Sequence, residues 1–401
     1  MKDGEEVIYR MLQAKSSGGE LITLATLTPA ELKQLKLEKQ TFTCPACGNR
    51  VIPKAGTKLI PHFAHHHADA CLTSVNGESA YHEQGKLLLY QWLKAQQLQV
   101  KLEAYLPEIQ QRPDILLTVN KKTIAIEYQC ARIPPEVIIK RNNGYKRAGI
   151  TPIWIMGEQL LKRKSTNGFK LDSFLQLFIH QFTSATPPNI YFFCPHTTQL
   201  INFMDIYSVG NGLAFGVIQI RTLQAIQFPE LFHFRNFERQ TLWRIWKREK
   251  ARFRIRPIKQ FGTELKWHKW LYEKGLHRDF LPTIVHIPVP SQHFMKQPLW
   301  EWQSKLVIEI LSPLPLGGTI SLNRLNAVLR QVQHPQCIFP LIKYFTNPVT
   351  EYMQLLCQLG YFRETTPNQY QKLSPISFFS TVEDAIKADN ELTLKFLRKV
   401  W

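Results

Sequence analysis

The sequence predicts a mixed α/β core, with a Cys- and His-rich segment ahead of it and a basic, mostly helical region behind. Three observations carry that expectation. Between residues 78 and 182 the apolar pattern reads helix, three strands, helix, strand, helix. Residues 44–71 hold Cys44, Cys47, Cys71 and four histidines, with little periodicity. From about residue 230 onward, helical spacing dominates. The expected divisions are 11–75 for an N-terminal hairpin and knuckle, 76–190 for the α/β domain, 191–230 for a β-rich connection and 231–401 for the basic helical region.

Each element has a local reason. Residues 11–26 alternate an apolar run, a Ser-Ser-Gly-Gly turn and a second apolar run, which is a hairpin pattern. Thr28, Pro29 and Glu31 form a capping-box signature that starts a short helix. Leu87, Leu88, Tyr90 and Trp92 recur at helical spacing over 78–97. Strands are expected at 99–106, 113–119 and 122–129, a helical segment over 134–149 and a buried strand over 150–156. A further helix is expected near 171–182, then a hairpin over 190–204.

A chain of 401 residues, 44% hydrophobic and 20% charged, has enough apolar material for about two or three globular domains. Its net charge of +19 points to an anionic partner, and nucleic acid is commoner than an anionic membrane surface. A basic chain without a polyanionic partner is the plainer reading. The opening "MKDGEEVIYRML" lacks the apolar region of a secretory signal, and both Met1 and Met11 stay open as the natural start. Residues 173–204 contain no Asp, Glu, Lys or Arg, but their His, Gln, Asn, Thr and Pro break the run of about 20 apolar residues that a span requires. Seven cysteines, three clustered and the rest scattered, do not resemble an exported disulfide framework. A cytoplasmic location with no membrane span is expected.

"CPACG" places Cys44 and Cys47 on one tight turn, with Gly48 suited to a left-handed backbone behind the second thiol. Two thiolates followed by imidazoles and a third thiolate can complete a tetrahedral zinc site. The expected ligands are Cys44, Cys47, His65 and Cys71, with His62 as the alternative imidazole; His66 and His67 stand beside them. Four ligands leave no open position, so the zinc would be structural. Free thiols beside a solvated histidine run are the competing explanation.

Asp114 and Glu127 stand at the edges of two short apolar runs joined by Asn-Lys-Lys. Side chains alternate along a strand, so Glu127 and Gln129 share a face, about 6.5 Å apart. If the two strands pair, Asp114 lies near Glu127, and two carboxylates there suit Mg²⁺ or Mn²⁺. Glu78 at the start of the preceding helix offers a third carboxylate, and His82 and Lys86 project from nearby faces of that helix. Solvated surface acids at strand ends are the plainer reading for each residue alone.

"RPD" at 112–114 followed by "IAIEYQ" at 124–129 resembles the PD-(D/E)xK nuclease superfamily, in a D-x12-E-x-Q form. With the Cys-Pro-x-Cys knuckle, "HFAH" and "ESxxxHxxxK" ahead of it, the chain resembles the CoiA competence-protein family over roughly residues 11–210. That resemblance implies a restriction-endonuclease-like core and a role with incoming DNA during natural transformation. It also implies metal binding by Asp114 and Glu127, assistance from Glu78 and a further ligand from the Tyr128 carbonyl. One position departs from the pattern: the usual Lys is Gln129, which can orient water but carries no charge. Lys86, Arg132 or Arg141 are the candidates to supply that charge. Lys140, Arg141, Lys146 and Arg147 follow the hairpin and suit phosphate contacts, or form a solvated helix face; Arg132 is a candidate nucleic-acid contact with them.

Between Arg235 and Lys259 ten Lys or Arg face two acids, with Phe237, Trp243, Trp246 and Phe253 interleaved. Arg252 and Arg254 are candidate nucleic-acid contacts, and the aromatics either stack on bases or form a buried helix stripe. The element order over 318–365 resembles a winged helix. Cys130, Cys194, Cys337 and Cys357 read as core residues.

The leading expectation is a metal-dependent DNA nuclease acting on single-stranded or branched DNA in transformation and recombination, with a recombinase or other transformation protein as a further partner. The alternative is a catalytically inactive DNA-binding accessory protein that assists a recombinase; Gln129 keeps it open. An RNA-processing enzyme is a third reading.

Overall fold

The computed structural model describes residues 10–38, 40–56, 60–65, 79–210, 212–258 and 261–398. His66, His67, Cys71 and Glu78 lie outside the described residues.

The N-terminal part is a six-stranded antiparallel sheet. Its strands are β1 (Arg10–Met11), β2 (Gln13–Ser16), β3 (Leu21–Thr23), β4 (Phe42–Thr43), β5 (Arg50–Lys54) and β6 (His62–His65), in the order β1-β6-β5-β4-β2-β3. The β2–β3 pair is the expected hairpin. Helix α1 (Pro29–Leu37) begins as its sequence dictates: Thr28 accepts from the Glu31 N–H, and the Glu31 carboxylate accepts from the Thr28 N–H.

The central part opens with α2 (Ala80–Ala95), capped by the Ser79 hydroxyl. It continues through β7 (Gln99–Leu102), β8 (Ile115–Val119), β9 (Lys122–Gln129), α3 (Pro135–Arg147) and β10 (Thr151–Gly157). After β11 (Gly168–Lys170) and α4 (Ser173–Gln176) come β12 (Asn189–Cys194), β13 (Gln199–Gly210) and β14 (Leu213–Thr222). One eight-stranded sheet holds them in the order β11-β14-β13-β12-β10-β9-β8-β7. β9, β10 and β12 run parallel, and the other pairings are antiparallel.

Period-2 alternation gives this sheet two buried faces. Ile124, Ile126, Tyr128, Ile153, Ile155, Tyr191 and Phe193 pack under α2, while Trp154, Met156, Ile190 and Phe192 share the other face with Ile138 of α3. Gly85 brings α2 close: a Cβ there would stand 2.0 Å from the Tyr128 ring. The β8–β9 turn uses Asn120 and Lys121, both at positive φ (49° and 62°), the conformation of a two-residue hairpin turn.

Three expectations change. The strand expected over 99–106 stops at Leu102, because Glu103 takes a positive φ of 47°. The helix expected near 171–182 is only α4, with a short run of turns beyond it. Leu171, Phe174, Leu175, Leu177, Phe178 and Ile179 are all buried, and an apolar run this short does not reveal its period. The division expected at 190/191 falls within β12, and the same sheet continues through β14.

The C-terminal part is largely helical: α5 (Arg239–Ile255), α6 (Gly262–Glu273), α7 (Leu299–Leu306), α8 (Leu322–Leu329), α9 (Pro348–Gln358) and α10 (Val382–Arg398). Strands β15 (Thr319–Ser321), β16 (Phe362–Thr366) and β17 (Gln369–Lys372) form a small sheet in the order β15-β17-β16. The order β15, α8, α9, β16, β17 is that of a winged helix. However, α9 contains no Lys or Arg and buries Val349, Tyr352, Met353 and Leu356, so it lacks the cations of a DNA-reading helix. Trp243, Trp246 and Phe253 lie in the core, which settles the α5 aromatics as a buried stripe. Cys130 and Cys194 are buried as expected, whereas Cys337 is exposed, on a short turn at the surface.

Candidate functional site

Two clusters of chemistry-bearing side chains stand out among the described residues, and the first is the knuckle. Cys44 and Cys47 flank the turn between β4 and β5, where Gly48 holds a φ of 74°. The Cys44 and Cys47 sulfurs and a His65 ring nitrogen lie within 4.8 Å of one another. Burial lowers the His65 pKa, and Arg112 adds to the effect, so the ring is held neutral; its buried Nε2 has no hydrogen-bond partner among the described residues. A neutral imidazole with an orphaned nitrogen beside two sulfurs is the donor set that zinc takes. His62 is excluded from this set by geometry. Three residues apart on β6, His62 and His65 point to opposite faces, and His62 Nδ1 lies 2.8 Å from the Ile60 carbonyl oxygen.

The second cluster is at the open end of the β8–β9 hairpin. The register pairs Ile115 with Ile126, and continuing it by one step sets Asp114 opposite Glu127. Side chains so placed have Cβ atoms about 5 Å apart. The Asp114 Oδ2 accepts from the Tyr128 N–H at 2.8 Å, which fixes the carboxylate at the strand end. From α2, His82 Nε2 lies 3.5 Å from Asp114 Oδ2, and its ring stacks on Tyr128. Lys86 Nζ lies 3.8 Å from Asp114 Oδ1.

Lys86 is wholly buried, and a buried ammonium is sustained only with a partner. That partner is Glu103, which binds Lys86 through Oε1 and accepts from the Leu12 N–H at 3.0 Å through Oε2, with Arg112 3.7 Å away. Glu103 and Arg112 were not anticipated from the sequence. The signal was present: a lysine in the buried stripe of a helix demands a nearby acid. Leu12 packs in the core under α2, so the N-terminal sheet meets the central one at this network.

Glu127 is buried, and its side-chain hydrogen bonds fall on Oε1: from Arg141 Nε at 3.1 Å, from Arg141 Nη2 and from the Tyr145 hydroxyl. Burial raises the Glu127 pKa and the Asp114 charge adds to it, while Arg141 and Tyr145 oppose the rise. Arg141 also donates to the Arg112 carbonyl at 3.0 Å. Its expected role as a phosphate contact is therefore corrected, since α3 carries it inward onto Glu127. Gln129, half-buried, turns its amide to the Ala131 carbonyl at 2.7 Å. Lys140, Lys146 and Arg147 are exposed on α3. Arg132 is exposed but ion-paired with Asp172.

The expected contact at Arg254 is also corrected. Arg254 is 2% exposed and donates to both Asp389 oxygens and to the Asp279 carbonyl, because α10 packs along that side of α5. Arg252 is exposed.

The structure thus joins a mixed sheet flanked by helices to a Cys/Cys/His knuckle ahead of it, and the family comparisons place this combination in a known class. Residues 78–236 match the model of the competence protein CoiA nuclease-like domain; residues 24–74 match that of the CoiA N-terminal domain, and residues 243–386 that of its C-terminal domain. The competence protein CoiA of Bacillus subtilis (strain 168) is 32% identical over 367 residues, which cover 88% of this chain and 95% of that one. No solved structure matches the chain. The chain belongs to the competence protein CoiA family. Among the described residues, no helix is long and apolar enough to cross a membrane.

Proposed function

We propose that this protein is a metal-dependent DNA nuclease that hydrolyses phosphodiester bonds during natural transformation and recombination, acting in the cytoplasm on single-stranded or branched DNA. The observation that carries the reading is Asp114 set opposite Glu127 with Lys86 3.8 Å from the Asp114 carboxylate. Two opposed carboxylates at a strand end suit a hard divalent cation, Mg²⁺ or Mn²⁺, which would supply water activation and charge neutralisation at the phosphate.

The chain's own residues have separable parts in this scheme. Asp114, pinned by the Tyr128 N–H, gives a fixed oxygen. Glu127, whose charge Arg141 balances, would give the second oxygen to the cation. Lys86 supplies the positive charge that Gln129 does not. Glu78 completes the carboxylate set, and Lys140, Lys146 and Arg147 hold the flanking backbone. Zinc on Cys44, Cys47, His65 and Cys71 braces the N-terminal sheet, whose Leu12 reaches Glu103. That zinc would be structural.

The test is cleavage of labelled single-stranded, duplex and branched DNA with Mg²⁺ or Mn²⁺, comparing wild type with Asp114→Ala and Glu127→Ala. Metal-dependent cutting lost in both variants is expected. Wild type that binds all three DNAs and cuts none would sink the enzymatic reading. It would favour a second one, a non-cutting DNA-binding accessory protein for a recombinase. The feature that supports this second reading is the closure of Glu127 by Arg141 and Tyr145.

A further inference from the structure

Six of the seven Lys and Arg of α5 divide into two sets with opposite environments; the seventh, Arg239 at its first position, is partly buried. Lys250 and Arg254 point inward: Lys250 lies 3.2 Å from Asp389 and donates to the Thr283 and Val285 carbonyls, and Arg254 binds the same Asp389. Arg244, Lys247, Arg248 and Arg252 point outward and are exposed. The exposed residues of α5 are these four with Gln240 and Ile255, none of them an acid; Glu249, the acid of this helix, is partly buried and feels the charges of Arg252 and Arg256. Among the described residues none of the four cations has an ion-pair partner.

An ordinary solvated helix face mixes both signs. This one places Arg244, Arg248 and Arg252 at i, i+4 and i+8, a line with a cation about every 6 Å along the axis. Inward cations that are neutralised beside outward cations with no ion pair, Arg244 reaching only the Gln240 amide oxygen at 3.4 Å, make a directed arrangement. The C-terminal end of the line is apolar: Ile255 is 68% exposed, and Phe261, just before α6, is 74% exposed. A line of exposed cations, followed in sequence by an exposed aromatic, is the combination that tracks a nucleic-acid backbone and stacks on an unpaired base.

We propose that the outer face of α5 is a binding surface for single-stranded DNA, with Arg244, Lys247, Arg248 and Arg252 on the phosphates and Phe261 on a base. The proposal rests on the reading that DNA is this protein's partner. It places part of the DNA grip in the C-terminal region, away from Asp114 and Glu127 in sequence and on a different helix from Lys140, Lys146 and Arg147. It also explains why the winged-helix-like unit can lack cations on α9.

The test is binding of the full chain to a fluorescent single strand and to the matching duplex, without added Mg²⁺ or Mn²⁺, over a salt series. For single strands the salt slope is about −0.7 per neutralised phosphate, so the triple variant Arg244→Gln, Arg248→Gln, Arg252→Gln flattens it by about 2. The triple Arg→Lys variant keeps the wild-type slope. Phe261→Ala weakens the single strand at least about five-fold and leaves the duplex within two-fold, an effect of the size of one lost base stack. The altered side chains are exposed, so thermal unfolding of all variants stays at the wild-type midpoint. An unchanged slope in the Gln variant overturns the proposal. Equal losses on single strand and duplex, with Phe261→Ala silent, overturn its single-strand part. Because no cleavage is read, a failure here leaves the nuclease reading untouched, and loss of cutting in Asp114→Ala says nothing about α5.

Discussion

Lys86 Nζ stands 3.8 Å from Asp114 Oδ1 and reaches it from a helix, while the strand carrying Glu127 ends two residues later on a neutral Gln129. In the proposed nuclease site the positive charge therefore comes from a helix and not from the strand. Lys86→Met should remove that charge and also leave Glu103 buried with only the Leu12 N–H and Arg112 beside it. Breaking a buried pair costs about 3–5 kcal/mol, and the two remaining partners put this case at the lower end. The expected outcome is a denaturation midpoint lowered by about 3 kcal/mol of stability and cleavage reduced at least about a hundred-fold, the scale for losing one charge-stabilising group. The double variant Lys86→Met, Glu103→Gln recovers most of the stability without the activity. Recovery of both would mean that Lys86 is structural only.

Gln129 should matter far less. Its amide donates to the Ala131 carbonyl at 2.7 Å, on its own chain just past the strand end. Gln129→Ala is expected to keep cleavage within about three-fold, a loss of less than 1 kcal/mol from the transition state. A loss as large as that of Lys86→Met would return the water-orienting role to Gln129.

The central architecture was readable because its signals are local. The alternation of Ile153, Trp154, Ile155 and Met156 marks a strand buried on both faces, and the β8–β9 pairing follows from two apolar runs and a two-residue turn. The capping box at Thr28 and Glu31 is equally local. What stayed hidden depends on contacts distant in sequence. Arg141 reads as a phosphate ligand until α3 carries it onto Glu127, and Arg254 reads as surface charge until α10, 135 residues on, covers it with Asp389. Glu103 has no motif at all; its importance comes only from being the acid within reach of a buried Lys86. The α4 segment failed for a different reason, since the apolar run from Leu171 to Ile179 is too short and too largely buried to show the period that would distinguish helix from turn.

The knuckle gives a prediction that does not depend on cleavage. The full chain should carry one zinc, lost in Cys44→Ser, Cys47→Ser and His65→Asn and kept in His62→Asn, as read by metal analysis. A structural zinc ligand set is closed at four, so Cys71→Ser should also lose the metal. Zinc retained in Cys71→Ser would mean that another residue completes the site.

Gly85 sets how closely α2 approaches β9. Ala in place of Gly within a helix gains about 1 kcal/mol of propensity. Against that gain, a Cβ 2.0 Å from the Tyr128 ring forces a shift, and Tyr128 is held by its hydroxyl bond to the Phe193 carbonyl at 3.0 Å. Overpacking of this kind costs about 1–3 kcal/mol and wins. Gly85→Ala is expected to lower stability by about 1–2 kcal/mol. It should also cut cleavage disproportionately, because His82 and Lys86 ride on the same helix. A stabilised, fully active variant would show that α2 has room to move.

Acid pH should expose a buried histidine in the C-terminal core. His286 is 0% exposed among Trp246, Phe253 and Trp300, and among the described residues neither ring nitrogen has a hydrogen-bond partner. Burial, followed by the charges of Lys250, Arg256 and Arg254, pushes its pKa well below the ordinary value of 6.5. The unfolded chain therefore takes up this proton first as pH falls, and the unfolded state binds more protons below 6.5. Stability from this group is present above that value and drains away beneath it, by about 1.4 kcal/mol per pH unit. The wild-type curve alone would not isolate the effect, because Glu301 (pushed up to about 7) and Glu351 (to about 6) act in the opposite sense over the same range. Burial raises both, so the folded state binds their protons first and gains stability as pH falls. Comparison with His286→Phe removes those shared contributions. Between pH 7.5 and 5.5 the wild type should lose about 1.4 kcal/mol more than the variant in urea unfolding, one proton's worth. Parallel curves would mean that His286 takes up its proton inside the fold, with Lys250, Arg254 and Arg256 yielding space or charge to it.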